Sequence, residues 1–118
     1  MTKILICDDE LGVRESLKLI LGDFYALIAV DNGEAALEVL KNTPSISLVF
    51  MDIKMPKTPG LDVLAKIKQL HPHVKVVIVS GYNSVETAQE ASRLGADGYI
   101  VKPFDSKDVL ERAKKYIK

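Results

Sequence analysis

The sequence predicts an α/β fold: a doubly wound, five-stranded parallel sheet with helices on both faces. Three observations carry this. Short apolar runs alternate five times with longer stretches of helical spacing. Most of the runs show no polar alternation, as expected of strands buried on both faces. At 118 residues the chain has the size of one domain, residues 1–118, with no room for a second. Right-handed crossovers between parallel strands then place helices on both faces. The common order for five such strands is 2-1-3-4-5, in which ligands sit beyond the C-terminal ends of strands 1 and 3.

The elements follow in order. Lys3–Cys7 is the first strand; Val13, Leu17, Ile20 and Leu21 after it keep the i, i+4, i+7, i+8 spacing of an amphipathic helix. Ala26–Val30 is the second strand, and Asn32-Gly33-Glu34 opens a helix marked by Ala36, Leu37 and Leu40. Ile46–Met51 is the third strand, with Leu61, Leu64 and Ile67 on a helix that Pro72 closes. Val74–Val79 precedes a fourth helix from about Val85 to Leu94, with Asn83 and Glu86 spaced as a capping box and Gly95 placed to end it. Its inner stripe is little more than Val85, Ala88 and Ala91, so it should be among the easier helices to shift. Gly98–Val101 is the last strand, and Asp105 caps a helix carrying Val109, Ala113, Tyr116 and Ile117.

Composition narrows the function classes. Apolar residues make up 47% and charged residues 27%, as in an ordinary globular protein. Sixteen Lys and Arg balance sixteen Asp and Glu, so no net field draws the chain to nucleic acid or anionic lipid. The lone Cys7 reads as a small buried hydrophobe in a reducing compartment. Ile4 to Cys7 is too short for an export signal, and the longest apolar run, Phe24 to Val30, is too short for a membrane span. A cytoplasmic location is expected.

The chemistry stands at the strand ends. Strand 1 ends in Asp8 and Asp9, strand 3 in Asp52, strand 4 in Ser80, and Lys102 follows strand 5. With strands 1 and 3 adjacent, three carboxylates converge on one rim, and they cannot all stay ionised without a cation. Either one keeps its proton or a metal sits among them. All-oxygen ligands with room for water favour Mg²⁺ over Ca²⁺, while His71 and His73 lie at the opposite rim, away from any zinc role. Taken alone, the Asp pair could simply cap the first helix, and Lys102 could be a plain ion-pair partner. With Ser80 added, a metal, an ammonium and a hydroxyl would surround Asp52, an arrangement suited to a carboxylate attacking phosphorus. No nucleotide-binding glycine loop is present, so the phosphoryl donor must arrive bound to something else.

Asp8-Asp9-Glu10, Met51-Asp52-Ile53-Lys54-Met55-Pro56 with Gly60, Ser80-Gly81, and Lys102-Pro103-Phe104 together resemble the receiver domain of bacterial two-component response regulators, which is flavodoxin-like, over the whole length. The resemblance implies that a sensor histidine kinase phosphorylates Asp52. It implies that Asp9, Asp52 and the backbone carbonyl of Lys54 bind Mg²⁺, with Asp8 acting mainly through water. Ser80 and Lys102 would read the phosphoryl group, and Tyr99 would swing inward on activation. On its residues alone, Tyr99 is a half-buried aromatic of an edge strand. Lys54 and Tyr82 occupy the positions that tune access of water to the acyl phosphate, and Lys102-Pro103 matches a position where the peptide is cis. Residues 80–88 are similar to receivers of the nitrogen-regulator type. The family more often has an acidic residue before the glycine of Lys57-Thr58-Pro59-Gly60.

Two other functions compete with this one. Phosphatases that form an aspartyl phosphate on a similar sheet carry a second carboxylate two residues after the nucleophile, where this chain has Lys54. A receiver that merely binds a partner has no physical need for the full Asp8, Asp9, Asp52, Ser80 and Lys102 set. The expected role is a signalling domain with only its own phosphorylation and dephosphorylation as chemistry. Its signal should leave through the fourth helix, strand 5 and the fifth helix, as a phosphorylation-dependent homodimer or by contact with an output domain. A stand-alone receiver and one cut from a longer regulator both fit an ending inside the last predicted helix.

Overall fold

In a computed structural model that describes residues 3–55, 59–81 and 84–117, the predicted alternation is present. The elements are β1 (Lys3–Cys7), α1 (Leu11–Leu21), β2 (Ala26–Val30), α2 (Gly33–Asn42), β3 (Ile46–Met51), α3 (Gly60–Leu70), β4 (Lys75–Ser80), α4 (Val85–Arg93), β5 (Gly98–Val101) and α5 (Ser106–Tyr116). The strands form one parallel sheet in the order β2-β1-β3-β4-β5, as expected. β4 runs one residue later than predicted. Val74 is buried, but its N–H bonds the His71 carbonyl in a turn, so the ladder starts at Lys75.

Alternate residues of each inner strand face opposite helical layers, because successive side chains of a strand point to opposite faces. Ile4, Ile6, Leu48, Phe50, Val77 and Val79 pack with Leu17 and Leu21 of α1 and Val109 and Ala113 of α5. Leu5, Cys7, Val49, Met51, Val76 and Ile78 pack with α2 and α3 and with Ala91 of α4. Burying a large apolar side chain contributes roughly 1.5–3 kcal/mol. These two layers hold the sheet flat against its helices and leave the strand ends free for chemistry.

Caps fix where the helices begin. Asn32 accepts from the Ala35 N–H at 2.8 Å, and Asp105 from the Asp108 N–H at 2.7 Å. For α4 the cap is Ser84, which accepts from the Thr87 N–H at 3.1 Å, and not the expected Asn83, which lies outside the described residues. The expected inner stripe of α4 also needs correction: Val85 is 69% exposed, and Ala91 is the buried residue of that helix. Val85 is the first residue of α4 and adds nothing to the buried surface, so α4 is gripped even less than its sequence indicated. Gly95, at φ +104°, ends the helix in a conformation that glycine adopts without penalty.

At the N-terminal rim Asp97 ties β4 to α3. Its Oδ2 accepts from Val76 N–H at 2.9 Å and from Lys68 Nζ at 3.1 Å. His71 and His73 lie near this rim, edge to face with each other. No helix among the described residues is long and apolar enough to cross a membrane.

Candidate functional site

Pairing register builds the site. Cys7 is opposite Met51 in the β1–β3 ladder, so Asp8 and Asp52, one step further along, emerge side by side. Their backbones continue the ladder: Asp52 N–H bonds the Cys7 carbonyl at 3.0 Å and Asp8 N–H the Val30 carbonyl at 3.1 Å. Ser80 is opposite Val101, and the next residue, Lys102, donates its N–H to the Ser80 carbonyl at 2.8 Å. The Lys102-Pro103 peptide is cis. Gly60 lets α3 press on the segment after Asp52: a Cβ there would lie 2.5 Å from the Asp52 carbonyl oxygen.

A cavity of about 660 Å³ opens at this rim, lined by Asp9, Glu10, Asp52, Lys54, Met55, Ser80, Gly81 and Lys102. Asp52 and Ser80 are buried, at 4% and 1% exposure, whereas Asp9 and Lys54 are exposed. Lys102 Nζ donates to Asp8 Oδ2 at 2.9 Å and to Asp52 Oδ2 and Glu10 Oε1 at 3.3 Å each. The Lys54 N–H donates to Asp52 Oδ1 at 3.3 Å. Tyr99 packs partly buried against the α2–α3 layer, with its hydroxyl engaged by the Ser80 side chain. Tyr82 lies outside the described residues.

The electrostatics are those of crowded carboxylates. Oxygens of Asp8, Asp9, Glu10 and Asp52 all come within 4.8 Å of one another, and three of these residues contact the ammonium of Lys102. Burial pushes the Asp8 carboxyl above its ordinary value, against the pull of the Glu10 N–H and Lys102. Burial pulls Lys102 down, but Asp8 and then Asp52 more than offset it, so the ammonium is held charged. Tyr99 is raised, by burial first. An excess of hard, anionic oxygen donors in one cavity suits a divalent cation such as Mg²⁺.

The plain ion pair of Lys102 with the carboxylates is present, but the helix-cap reading of the Asp pair does not describe its geometry. Asp8 Oδ1 does accept from the Glu10 N–H at 2.9 Å, but the residue at the α1 N-cap is Glu10, whose side chain caps nothing. Cys7 is fully buried, its Sγ 3.4 Å from both the Asn32 carbonyl and Met55 Sδ. Burial, then the neighbouring carboxylates, push its thiol up to about 12, which makes it inert.

Two residues of the site carried no assigned role in the sequence. Glu10 reaches Lys102, 92 positions away, and Arg14 Nη1 donates at 2.9 Å to the carbonyl of Asp8, the residue after β1. No local spacing signals either contact: Asp8 precedes α1, and Lys102 is far away in sequence.

The comparisons agree with this geometry. The family model of the response regulator receiver domain matches residues 4–114. The chain is similar to the chemotaxis protein CheY of Treponema pallidum, 39% identical over 119 residues that cover 98% of this chain and 83% of that protein. It is 40% identical over 111 residues to the response regulator protein FleR of Pseudomonas aeruginosa, covering 92% of this chain but only 23% of that longer protein. A CheY-like receiver domain structure from Methanospirillum hungatei superposes with a TM-score of 0.92 at 34% identity, covering 98% of this chain and 92% of the other. With its sheet order, its rim of carboxylates and lysine and these relatives, the chain belongs to the response regulator receiver domains of two-component signalling.

Proposed function

We propose that this domain, residues 1–118, accepts a phosphoryl group on Asp52 from a sensor histidine kinase in a Mg²⁺-dependent reaction, and switches conformation in response. One observation carries the reading: Asp52 is a buried carboxylate at a strand end, its Oδ2 3.3 Å from Lys102 Nζ, inside an open cavity. A buried carboxylate so placed is accessible to a donor from one side only. An Asp52 oxygen attacks phosphorus, and the new P–O bond replaces the P–N bond of a phosphohistidine. The imidazole leaves with the electron pair and takes up a proton from solvent. Lys102 and Ser80 are placed to meet the charge that builds on the phosphoryl oxygens.

The residues present fit Mg²⁺. Asp9, Asp52 and the Lys54 carbonyl would hold it, with Asp8 acting through water, and the exposure of Asp9 leaves room for coordinated water. Bound there, the ion would neutralise the carboxylate excess and withdraw charge from the phosphoryl oxygens. Lys54 and Tyr82 would set how readily water reaches the acyl phosphate. The chemistry is that of a phosphoacceptor and not of a turnover enzyme, because the product is the modified domain itself.

Ser80 links the site to Tyr99, so a phosphoryl group that engages Ser80 changes what holds the Tyr99 hydroxyl. The signal would then leave by α4, β5 and α5, where α4 is held by little apolar surface. A homodimer in the phosphorylated state, or contact with an output domain, would read it. The cytoplasm is where such a kinase would meet its acceptor, and no membrane or direct nucleic-acid contact by this segment is needed.

Intact-mass measurement with acetyl phosphate and Mg²⁺ tests the reading. Wild type should gain about 80 Da, one phosphoryl group, and Asp52→Asn nothing. Full labelling of Asp52→Asn would overturn the acceptor assignment.

A further inference from the structure

We propose that Glu10 is a displaceable counterion of Lys102: it occupies, in the resting domain, the lysine N–H that a phosphoryl oxygen on Asp52 later takes. The inference rests on the phosphoacceptor reading and assigns a positioning residue to it. An ammonium has three N–H bonds, and Lys102 Nζ has three carboxylate partners, Asp8, Glu10 and Asp52. A phosphoryl oxygen can gain a bond from Lys102 only if one of these gives way. The three are not equivalent. Asp8 and Asp52 are buried, at 2% and 5% side-chain exposure, and until the P–O bond forms, separating either carboxylate from the ammonium leaves a charge stranded in the interior; Asp52 loses its charge only as the acyl phosphate. Glu10, at the same 3.3 Å as Asp52, is 63% exposed, and water replaces its lost partner at once.

The position of Glu10 suits this part. It stands at the α1 N-cap in extended conformation, with no capping bond to hold its side chain back. It also lines two cavities that share Lys102: the site itself, and a groove bounded by Gly12, Val13, Ser16 and Phe104. A carboxylate released from Lys102 therefore has open space to move into, away from the incoming anion.

Competition of this kind slows phosphorylation by the strength of the bond that must break. An exposed ion pair of this geometry corresponds to a factor of about 2–5 in rate. Glu10→Gln keeps size and removes the charge. Its labelling by acetyl phosphate at saturating Mg²⁺ should therefore be about 2–5-fold faster than that of wild type, and the gain should shrink in concentrated salt. If Glu10 acts through Lys102, the gain vanishes in a Lys102→Met background, since interacting positions are non-additive. A resting-state readout needs no phosphoryl chemistry: the side-chain Cε–Hε NMR signal of Lys102, without metal or donor, should move in Glu10→Gln.

Unchanged or slower labelling of Glu10→Gln overturns the proposal. So does equal acceleration in both backgrounds, which would make Glu10 a general repulsive charge. An unmoved Lys102 signal overturns it whatever the labelling rate. If that signal moves but wild type takes no label, the phosphoacceptor reading fails, and with it this role for Glu10.

Discussion

Removing the charge of Lys102 tests whether this ammonium holds the carboxylate rim together. Lys102→Met keeps an unbranched chain of similar reach. The side chain is only 16% exposed, and its two buried partners, Asp8 and Asp52, would be left facing each other. Breaking a buried pair from one side costs about 3–5 kcal/mol. Proton uptake by Asp8 recovers part of that, so a loss of about 2–4 kcal/mol at neutral pH is expected without metal. At about 4 °C per kcal/mol for a chain of this size, the melting temperature should fall by about 8–16 °C.

The pH dependence has a definite sign. Asp8 is already raised by burial in the wild type, with Lys102 among the groups that hold it down. A carboxyl raised in the folded state binds more protons folded than unfolded. Its contribution to stability is therefore lost as pH rises from the unfolded carboxylate value through the folded one. Without Lys102 the Asp8 carboxyl rises further, so the variant loses stability more steeply than wild type over that interval. The two proteins should converge in acid. Mg²⁺ should recover more stability in the variant than in wild type, because binding to the folded state alone adds about 2.7 kcal/mol at 100 times Kd. Urea melts at pH 4, 5.5 and 7.5, with and without Mg²⁺, measure all of this. A loss below about 1 kcal/mol, or one that ignores both pH and Mg²⁺, would refute the argument.

Asp9→Asn removes an exposed carboxylate from the acidic cavity; Mg²⁺ affinity by calorimetry should fall about 10–100-fold, and undiminished affinity would remove Asp9 from the proposed ligand set. Tyr99→Ala should leave labelling of Asp52 nearly intact while reducing association in the presence of beryllofluoride. Sedimentation reads this, and equal association of mutant and wild type would place the output surface away from β5.

What the residues conveyed and what they withheld has a physical pattern. The strands were legible because an apolar run between turn signals has few other fates, and all five lie where the runs are, β4 with a shift of one residue. Facing was less legible in α4. Val85, Ala88 and Ala91 share one helical stripe, yet Val85, the first residue of the helix, is exposed to solvent. The cap of that helix was ambiguous for a local reason. Asn83 with Glu86 and Ser84 with Thr87 have the same i, i+3 spacing, and only the backbone path selects Ser84. In the site, Asp8, Asp9, Asp52, Ser80 and Lys102 were readable because strand ends in a parallel sheet all face one rim. Glu10 was not, since its contact depends on where a loop brings a lysine 92 residues later.

The same registers that pack the core also set the distances of the chemistry. Cys7 pairs with Met51, and Asp8 and Asp52 follow them; Ser80 pairs with Val101, and Lys102 follows. A slip of one residue in the β1–β3 ladder would turn Ile4 and Ile6 toward the layer built for Leu5 and Cys7. It would also move Asp8 by one residue rise, about 3.3 Å, relative to Asp52. That displacement is as large as the 3.3 Å separating Lys102 Nζ from Asp52 Oδ2, so no single ammonium could then span both carboxylates. Register is therefore specified by burial on both faces, at a cost of many kcal/mol for any slip, while the strand ends beyond it carry the crowded carboxylates. Among the described helices α4 has the least apolar grip, with Ala91 as its one buried residue.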